Sequence, residues 1–142
     1  MGGSVVIQYA IKVVPPEWDS NMPIPFTKET HDRWREELQN GTRVLIFKSA
    51  PVNLLVGEGE VHGFFIQPKE WASAAIDGLP PNIRSADYLL PLGMVYLRGS
   101  EYSRLYLEDV RAALEDPNFP ASPDELRPLE PAIYQRLIRQ IP

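Results

Sequence analysis

The alternation of apolar and polar positions along the chain predicts short strands interleaved with short helices. Residues 4–14 are rich in β-branched side chains and end at two prolines, which predicts a first strand. The continuous apolar run 42–48 is typical of a strand buried on both faces, and residues 54–62 predict the strand after it. Between the first two strands, a helix over residues 28–39 is predicted, with Thr27 as its N-cap.

The second half of the chain shows the same pattern with more interruptions. Residues 68–76 predict a short helix, and residues 88–97 predict a strand interrupted at Pro91. Three further helices are predicted, over residues 107–114, from residue 122 and from residue 130. Because the central strands follow each other without a long crossover, the order of elements favours a mostly antiparallel or mixed sheet. We therefore expect an α+β fold, a small β-barrel with flanking short helices, built from residues 1–142 as a single domain.

The composition supports this prediction of short elements. The 142 residues include 15 prolines and 9 glycines. Proline at this level is roughly twice the average usage of about 5%, and it removes a donor and clashes inside a helix. Long helical bundles, coiled coils and solenoids are therefore disfavoured.

Charge and residue types exclude several classes of function. The 14 Lys and Arg residues against 19 Asp and Glu residues give a net charge of −5, without the basic excess of a non-specific duplex-DNA binder. The chain has no cysteine, and His31 and His62 are its two histidines, so we expect no metal site and no cofactor. No run of 18 apolar residues is present, and residues 1–4 do not have the pattern of a secretory signal. We therefore expect a cytoplasmic protein that does not bind membranes.

A few side chains stand out as candidates for chemistry. Trp18 lies in a proline-rich loop, where it predicts either a rigid wall for stacking a base or a lid over the core. Glu58 and Glu60 fall on one face of a predicted strand, which is compatible with general acid–base work but is more typical of a solvated face. His31, beside Asp32 on a charged helix, is predicted to be exposed.

Three segments together resemble a known family. They are residues 40–49 (Asn-Gly-Thr-Arg-Val-Leu-Ile-Phe-Lys-Ser), 55–61 (Leu-Val-Gly-Glu-Gly-Glu-Val) and 126–134 (Leu-Arg-Pro-Leu-Glu-Pro-Ala-Ile-Tyr). In this order they resemble the central signature and closing helix of EVE domains. EVE domains belong to the PUA-like group, which also contains PUA, ASCH and YTH domains. The resemblance implies a small β-barrel that binds RNA or modified bases in an aromatic-walled pocket, and it places Ser49 where the family has its strand-end serine.

The leading functional hypothesis is a non-catalytic module that binds RNA or a modified nucleobase or nucleotide. Trp18 and Ser49 would line the pocket, and Lys48 would contact an adjacent phosphate. One alternative is an ASCH-like hydrolase acting on a small nucleoside-like ligand through Lys48 and either Glu58 or Glu60. Another is a protein-interaction module that uses the proline-rich loop as its contact surface.

Overall fold

The structure is built from short strands and helices. This computed structural model describes residues 6–19, 22–70, 79–96 and 105–140. The strands are β1 (Tyr9–Val14), β2 (Ile24–Phe26), β3 (Arg43–Lys48), β4 (Leu54–Val61), β5 (Tyr88–Leu90), β6 (Leu92–Tyr96), β7 (Leu105–Tyr106) and β8 (Leu126–Leu129). The helices are α1 (Lys28–Trp34), α2 (Pro81–Arg84), α3 (Leu107–Leu114) and α4 (Pro131–Arg139), with a 3-10 turn at Pro68–Glu70.

Six of the strands form one mixed sheet. Its order is β6-β4-β3-β1-β8, and β7 also pairs with β4, while β2 and β5 form a separate small sheet. Strands β3 and β4 make the predicted antiparallel hairpin, but β1 and β3 run parallel because β2 and α1 form a crossover between them. The mixed α+β prediction is confirmed. The β-barrel prediction is wrong, because the strands of the described residues leave the sheet open between β6 and β8.

The sheet has a hydrophobic layer on each face. In β3, Val44 and Ile46 belong to one layer, and Leu45 and Phe47 belong to the other. The alternation follows from the period of two along a strand. This confirms that the apolar run 42–48 is a strand buried on both faces. Hereafter the first layer is the one that contains Val44 and Ile46.

The structure also corrects several local predictions. Thr27 caps α1 as predicted, but the helix ends at Trp34 and is followed by a turn rather than continuing to residue 39. No helix begins at residue 122, because residues 122–124 form a turn that leads into β8 on the edge of the sheet. His31 is buried rather than exposed, since its ring stacks on Tyr88 at 3.6 Å.

Two predicted segments lie partly outside the described residues. The predicted helix 68–76 is a 3-10 turn as far as Glu70, and its remainder is outside the described residues. The strand predicted over residues 88–97 is two strands separated at Pro91, with residue 97 outside the described residues. Within the described part of the chain, no helix is long and apolar enough to cross a membrane.

Candidate ligand-binding cleft

A cleft of about 250 Å³ opens beside the end of β1, between the start of α1 and α2. Its apolar walls include Pro15, Pro25 and Phe26. Its polar lining consists of Thr27, Asn82, Ser85, Asp87 and Asp124. Sites for drug-sized ligands occupy roughly 300–1,000 Å³, so this cleft fits a single small ring system better than a long ligand.

The floor of the cleft rests on a buried ion pair. Lys12 in β1 points into the first layer and is completely buried. Its Nζ donates to Asp124 Oδ1 at 2.7 Å and to the Val13 carbonyl at 2.8 Å, and it lies 4.7 Å from the centre of the Phe26 ring. A buried ammonium is tolerated only when it is paired and hydrogen-bonded, and these contacts meet that requirement.

The same carboxylate also fixes the start of α1. Asp124 Oδ2 accepts hydrogen bonds from the backbone N–H of Thr27 at 3.0 Å and from its hydroxyl at 2.7 Å. The Thr27 oxygen in turn accepts from the Thr30 backbone N–H as the N-cap of the helix. One side chain therefore joins β1, the turn before β8 and α1, which gives the cleft a rigid floor.

Burial and charge act on this pair in opposite directions. Burial lowers the pKa of Lys12 below 10.5, and the charge and hydrogen bond of Asp124 reverse only part of that effect. Burial would raise the pKa of Asp124, but the charge and hydrogen bond of Lys12, with the bond from the Thr27 backbone N–H, bring it below its ordinary value. Asp124 is therefore an ionised carboxylate at neutral pH.

The mouth of the cleft carries further acceptors. Asp87 Oδ2 accepts from the Lys28 backbone N–H at 2.8 Å, and among the described residues Asp87 Oδ1 takes no hydrogen bond. The Asn82 amide donates to both carboxylate oxygens of Glu17, at 3.2 and 3.3 Å, which leaves its carbonyl oxygen for other partners. The free positions at the mouth therefore suit a ligand that donates hydrogen bonds.

The predicted site residues do not line this cleft. Trp18 is completely buried in the first layer, and its Nε1–H donates to the Pro23 carbonyl at 3.1 Å. It is a core residue, as its alternative interpretation predicts, and it presents no ring face to a ligand. Lys48 pairs with Val14, and the Ser49 N–H donates to the Val14 carbonyl at 2.9 Å. The Lys48–Ser49 turn is therefore next to the end of β1, as expected, but without Trp18 as an accessible partner.

Glu58 belongs to a different cluster on the other face of the sheet. Its carboxylate is buried, accepts a hydrogen bond from the Tyr134 hydroxyl and lies 3.4 Å from the Arg43 guanidinium. Burial and the neighbouring Glu58 raise the pKa of Tyr134 to about 12. Lys48 is opposite Leu54, and Glu58 is opposite Leu45. Lys48 and Glu58 are therefore three residues apart along the strands, a distance of roughly 10 Å.

Sequence reasoning missed Lys12 and Asp124, which are the centre of the site. A weak signal exists, because Lys12 interrupts a strand of otherwise apolar residues on both sides. A lysine at an inward position of such a strand needs a buried partner. Nothing local identifies that partner, which lies 112 positions further along the chain. Among the described residues, no group of three or more metal-ligating side chains is present.

Comparisons with known proteins bear on the fold. The chain matches no family model and no curated protein. Its structure is similar to the N-terminal domain of McrB from Staphylothermus marinus, with a TM-score of 0.63, 11% identity and 94% coverage of both chains. It is also similar to ASCH from Zymomonas mobilis, with a TM-score of 0.53, 12% identity, and coverage of 95% of this chain and 96% of that chain. A mutant of the same ASCH protein gives a TM-score of 0.55 at 10% identity, over 98% of this chain and 100% of that chain. These likenesses show that the chain shares the fold of these ASCH and McrB N-terminal domains, and they do not single out the EVE family.

Proposed function

We propose that residues 1–142 form one PUA-like module that binds nucleic acid or nucleotides and holds a single nucleobase in the cleft above the Lys12–Asp124 pair. The observation that carries the proposal is the composition of this cleft. It combines apolar walls that include Phe26 with hydrogen-bond acceptors at its mouth, among them Asp87. A nucleobase has the matching chemistry, because its faces are flat and apolar and its edges carry hydrogen-bonding groups.

The charge of the cleft favours a base over a phosphate. Asp87 and Asp124 both line it, and their carboxylates would repel an anion. The same carboxylates attract donors, and the exocyclic amino groups of cytosine, adenine and guanine are donors. We therefore infer a preference for amino-bearing bases, with the sugar and phosphates outside. Lys48, at the end of β3 beside the end of β1, is the candidate for contact with a phosphate in this arrangement.

The hydrolase alternative has less support in the geometry. Lys48 and Glu58 are separated along the sheet. At the cleft, the carboxylate that contacts a hydroxyl group is Asp124, which accepts from Thr27. A general base works best when its pKa is near the working pH, whereas the pKa of Asp124 is held below its ordinary value. The arrangement is therefore better suited to binding than to proton transfer.

The protein-interaction alternative also has less support. It predicts an exposed apolar patch on the proline-rich loop with no adjoining cavity. The described apolar residues of the loop include Trp18, Ile24 and Phe26, which are all buried, and the cleft opens directly beside them.

A nucleoside titration tests the proposal. We expect cytidine, adenosine or guanosine, or a methylated form of one of them, to bind in calorimetry, and uridine to bind more weakly. Asp87→Asn should lower the affinity roughly tenfold or more, because hydrogen bonds to a charged group contribute about 1.5–3 kcal/mol. Glu29→Gln is the matched control, since Glu29 is exposed on α1 and does not line the cleft.

Two results would contradict the proposal. Binding of neither nucleosides nor oligonucleotides would remove its basis. Equal loss of affinity in Asp87→Asn and Glu29→Gln would show that general charge, rather than the cleft, governs binding. Chromatography of the same mixtures detects any conversion of the nucleoside, which would instead support the hydrolase alternative.

A further inference from the structure

One large aromatic side chain, Phe64, is presented to solvent on the loop after β4. Its side chain is 84% exposed, while the neighbouring Phe65 is partly buried against the first layer. The chain turns at Gly63, whose φ of +109° lies in the region that glycine adopts readily. An aromatic residue that is this exposed contributes little to the core, and its ring is available for contact with a partner outside the fold.

The loop that carries Phe64 is tied down on both sides. The Gly63 N–H donates to the Asn40 side-chain oxygen at 2.8 Å. The Phe65 ring packs edge-on against Phe26 at 4.8 Å and against His31 at 4.7 Å. Because Phe65 is anchored inward, Phe64 points outward from a fixed backbone. Stacking of a ligand on Phe64 therefore causes little loss of conformational entropy in the loop.

Phe64 lines a second cleft of about 630 Å³, whose other walls come from the turn after α1. Arg35 contributes a guanidinium group, Glu36 contributes a carboxylate, and Gln39 and Asn40 contribute amides. Unpaired bases stack on aromatic rings and on guanidinium planes. Their edges accept hydrogen bonds from amide N–H groups and donate hydrogen bonds to amide oxygens. The surface around Phe64 thus carries a ring, a guanidinium group and amides, which are groups that contact unpaired bases.

We propose that Phe64 stacks on an unpaired base of a single-stranded nucleic acid, next to the base held in the cleft at Asp87. This inference rests on the proposed function and extends it from one base to a strand. The two clefts lie near the two ends of α1, one lined by Thr27 and the other by Arg35. Eight residues at 1.5 Å each separate these positions by roughly 12 Å. A strand of a few nucleotides spans that distance.

The surroundings of Phe64 favour a nucleic-acid strand over a second protein surface. Stable protein interfaces have an apolar core that is depleted of charged residues. Here Arg35, Glu36, Gln39 and Asn40 are exposed around one ring, and Leu38, the other apolar residue lining this cleft, is 6% exposed. One exposed ring in a polar setting suits a planar ligand that stacks on it.

The test measures single-stranded oligonucleotide affinity by fluorescence anisotropy for variants at position 64. Phe64→Ala should weaken binding by roughly 5- to 150-fold, the loss expected for one stacked base. Phe64→Leu should weaken it similarly although it stays apolar, and Phe64→Trp should retain the affinity of the original chain. Nucleoside affinity should not change in any of these variants. Tyr106→Ala is the matched control, because Tyr106 is also an exposed aromatic residue, at 61%, and does not line this cleft.

The outcomes separate this inference from the function on which it rests. If Phe64→Ala leaves oligonucleotide affinity unchanged while Asp87→Asn lowers it, the stacking role is overturned and the nucleobase cleft stands. If Phe64→Leu binds like the original chain, the contact is apolar rather than stacking, and the inference is also overturned. If sedimentation shows a dimer that Phe64→Ala abolishes without affecting nucleic-acid binding, the surface joins two copies of the chain, which overturns the inference as well. If the original chain binds no nucleoside and no oligonucleotide, the proposed function and this inference both fail.

Discussion

Replacing Lys12 by methionine should strongly destabilise the fold. Methionine has a similar length and volume, so the change removes the ammonium and little else. It leaves the Asp124 carboxylate without its cation while the two bonds from Thr27, at 3.0 and 2.7 Å, remain. Removing one partner of a buried ion pair typically costs 3–5 kcal/mol. Because the Asp124 side chain is 20% exposed and water can reach it, we expect the lower end, about 3 kcal/mol.

Urea unfolding followed by tryptophan fluorescence measures this loss, since Trp18 is completely buried in the folded state. With a denaturant slope of about 2 kcal/mol per molar, the midpoint should fall by about 1.5 M. The double variant Lys12→Met with Asp124→Asn should recover part of the loss, because no unpaired charge then remains. A single-variant loss below about 1 kcal/mol, or strictly additive losses in the double variant, would refute this account of the pair.

Two predictions concern pH. In Asp124→Asn, Lys12 loses the group that raises its pKa, so its folded-state pKa falls further below 10.5 and the unfolded chain binds more protons. The free energy of unfolding of this variant should therefore rise with pH between the folded-state pKa and 10.5, more steeply than in the original chain. Urea midpoints across that range would check it, and parallel pH profiles would contradict it. Tyr134, with a pKa of about 12 against an ordinary 10.0, contributes stability that is present below pH 10 and lost towards pH 12. Glu58→Gln should lower the ultraviolet titration midpoint of Tyr134, and an unchanged midpoint would show that Glu58 does not contribute to the raised pKa.

Elements that depend on residues close together in the chain are predicted correctly from the sequence. The apolar run of β3 and the cap at Thr27 both depend on neighbours within a few positions, and both are confirmed. The turn at residues 122–124 shows the limit of such reasoning. Its capping-box spacing predicts a helix, but Asp124 is used by Lys12 and Thr27 instead, and the following residues pair with β1. Tertiary contacts therefore override the local signal.

The candidate site is less predictable than the fold. The sequence leaves open whether Trp18 is a wall for a ligand or a lid over the core, because the direction of its ring depends on the packing of the first layer, which contains it. The position of Lys48 and Ser49 beside the end of β1 follows from the parallel pairing of β1 and β3. The pairing of Lys12 with Asp124 joins residues 112 positions apart, which no periodicity in the sequence encodes.

This long-range ion pair has a consequence for the order in which the chain folds. Strand β1 is a central strand that needs β3 on one side and β8 on the other, and β8 is the last strand of the sheet in sequence. During synthesis, Asp124 is therefore added long after Lys12. Until Asp124 is present, the Lys12 ammonium has no buried partner and remains solvated. The hairpin of β3 and β4 has no such requirement and can form early from local contacts. We expect the centre of the sheet to close late, with the arrival of Asp124 as the event that allows β1 to be buried.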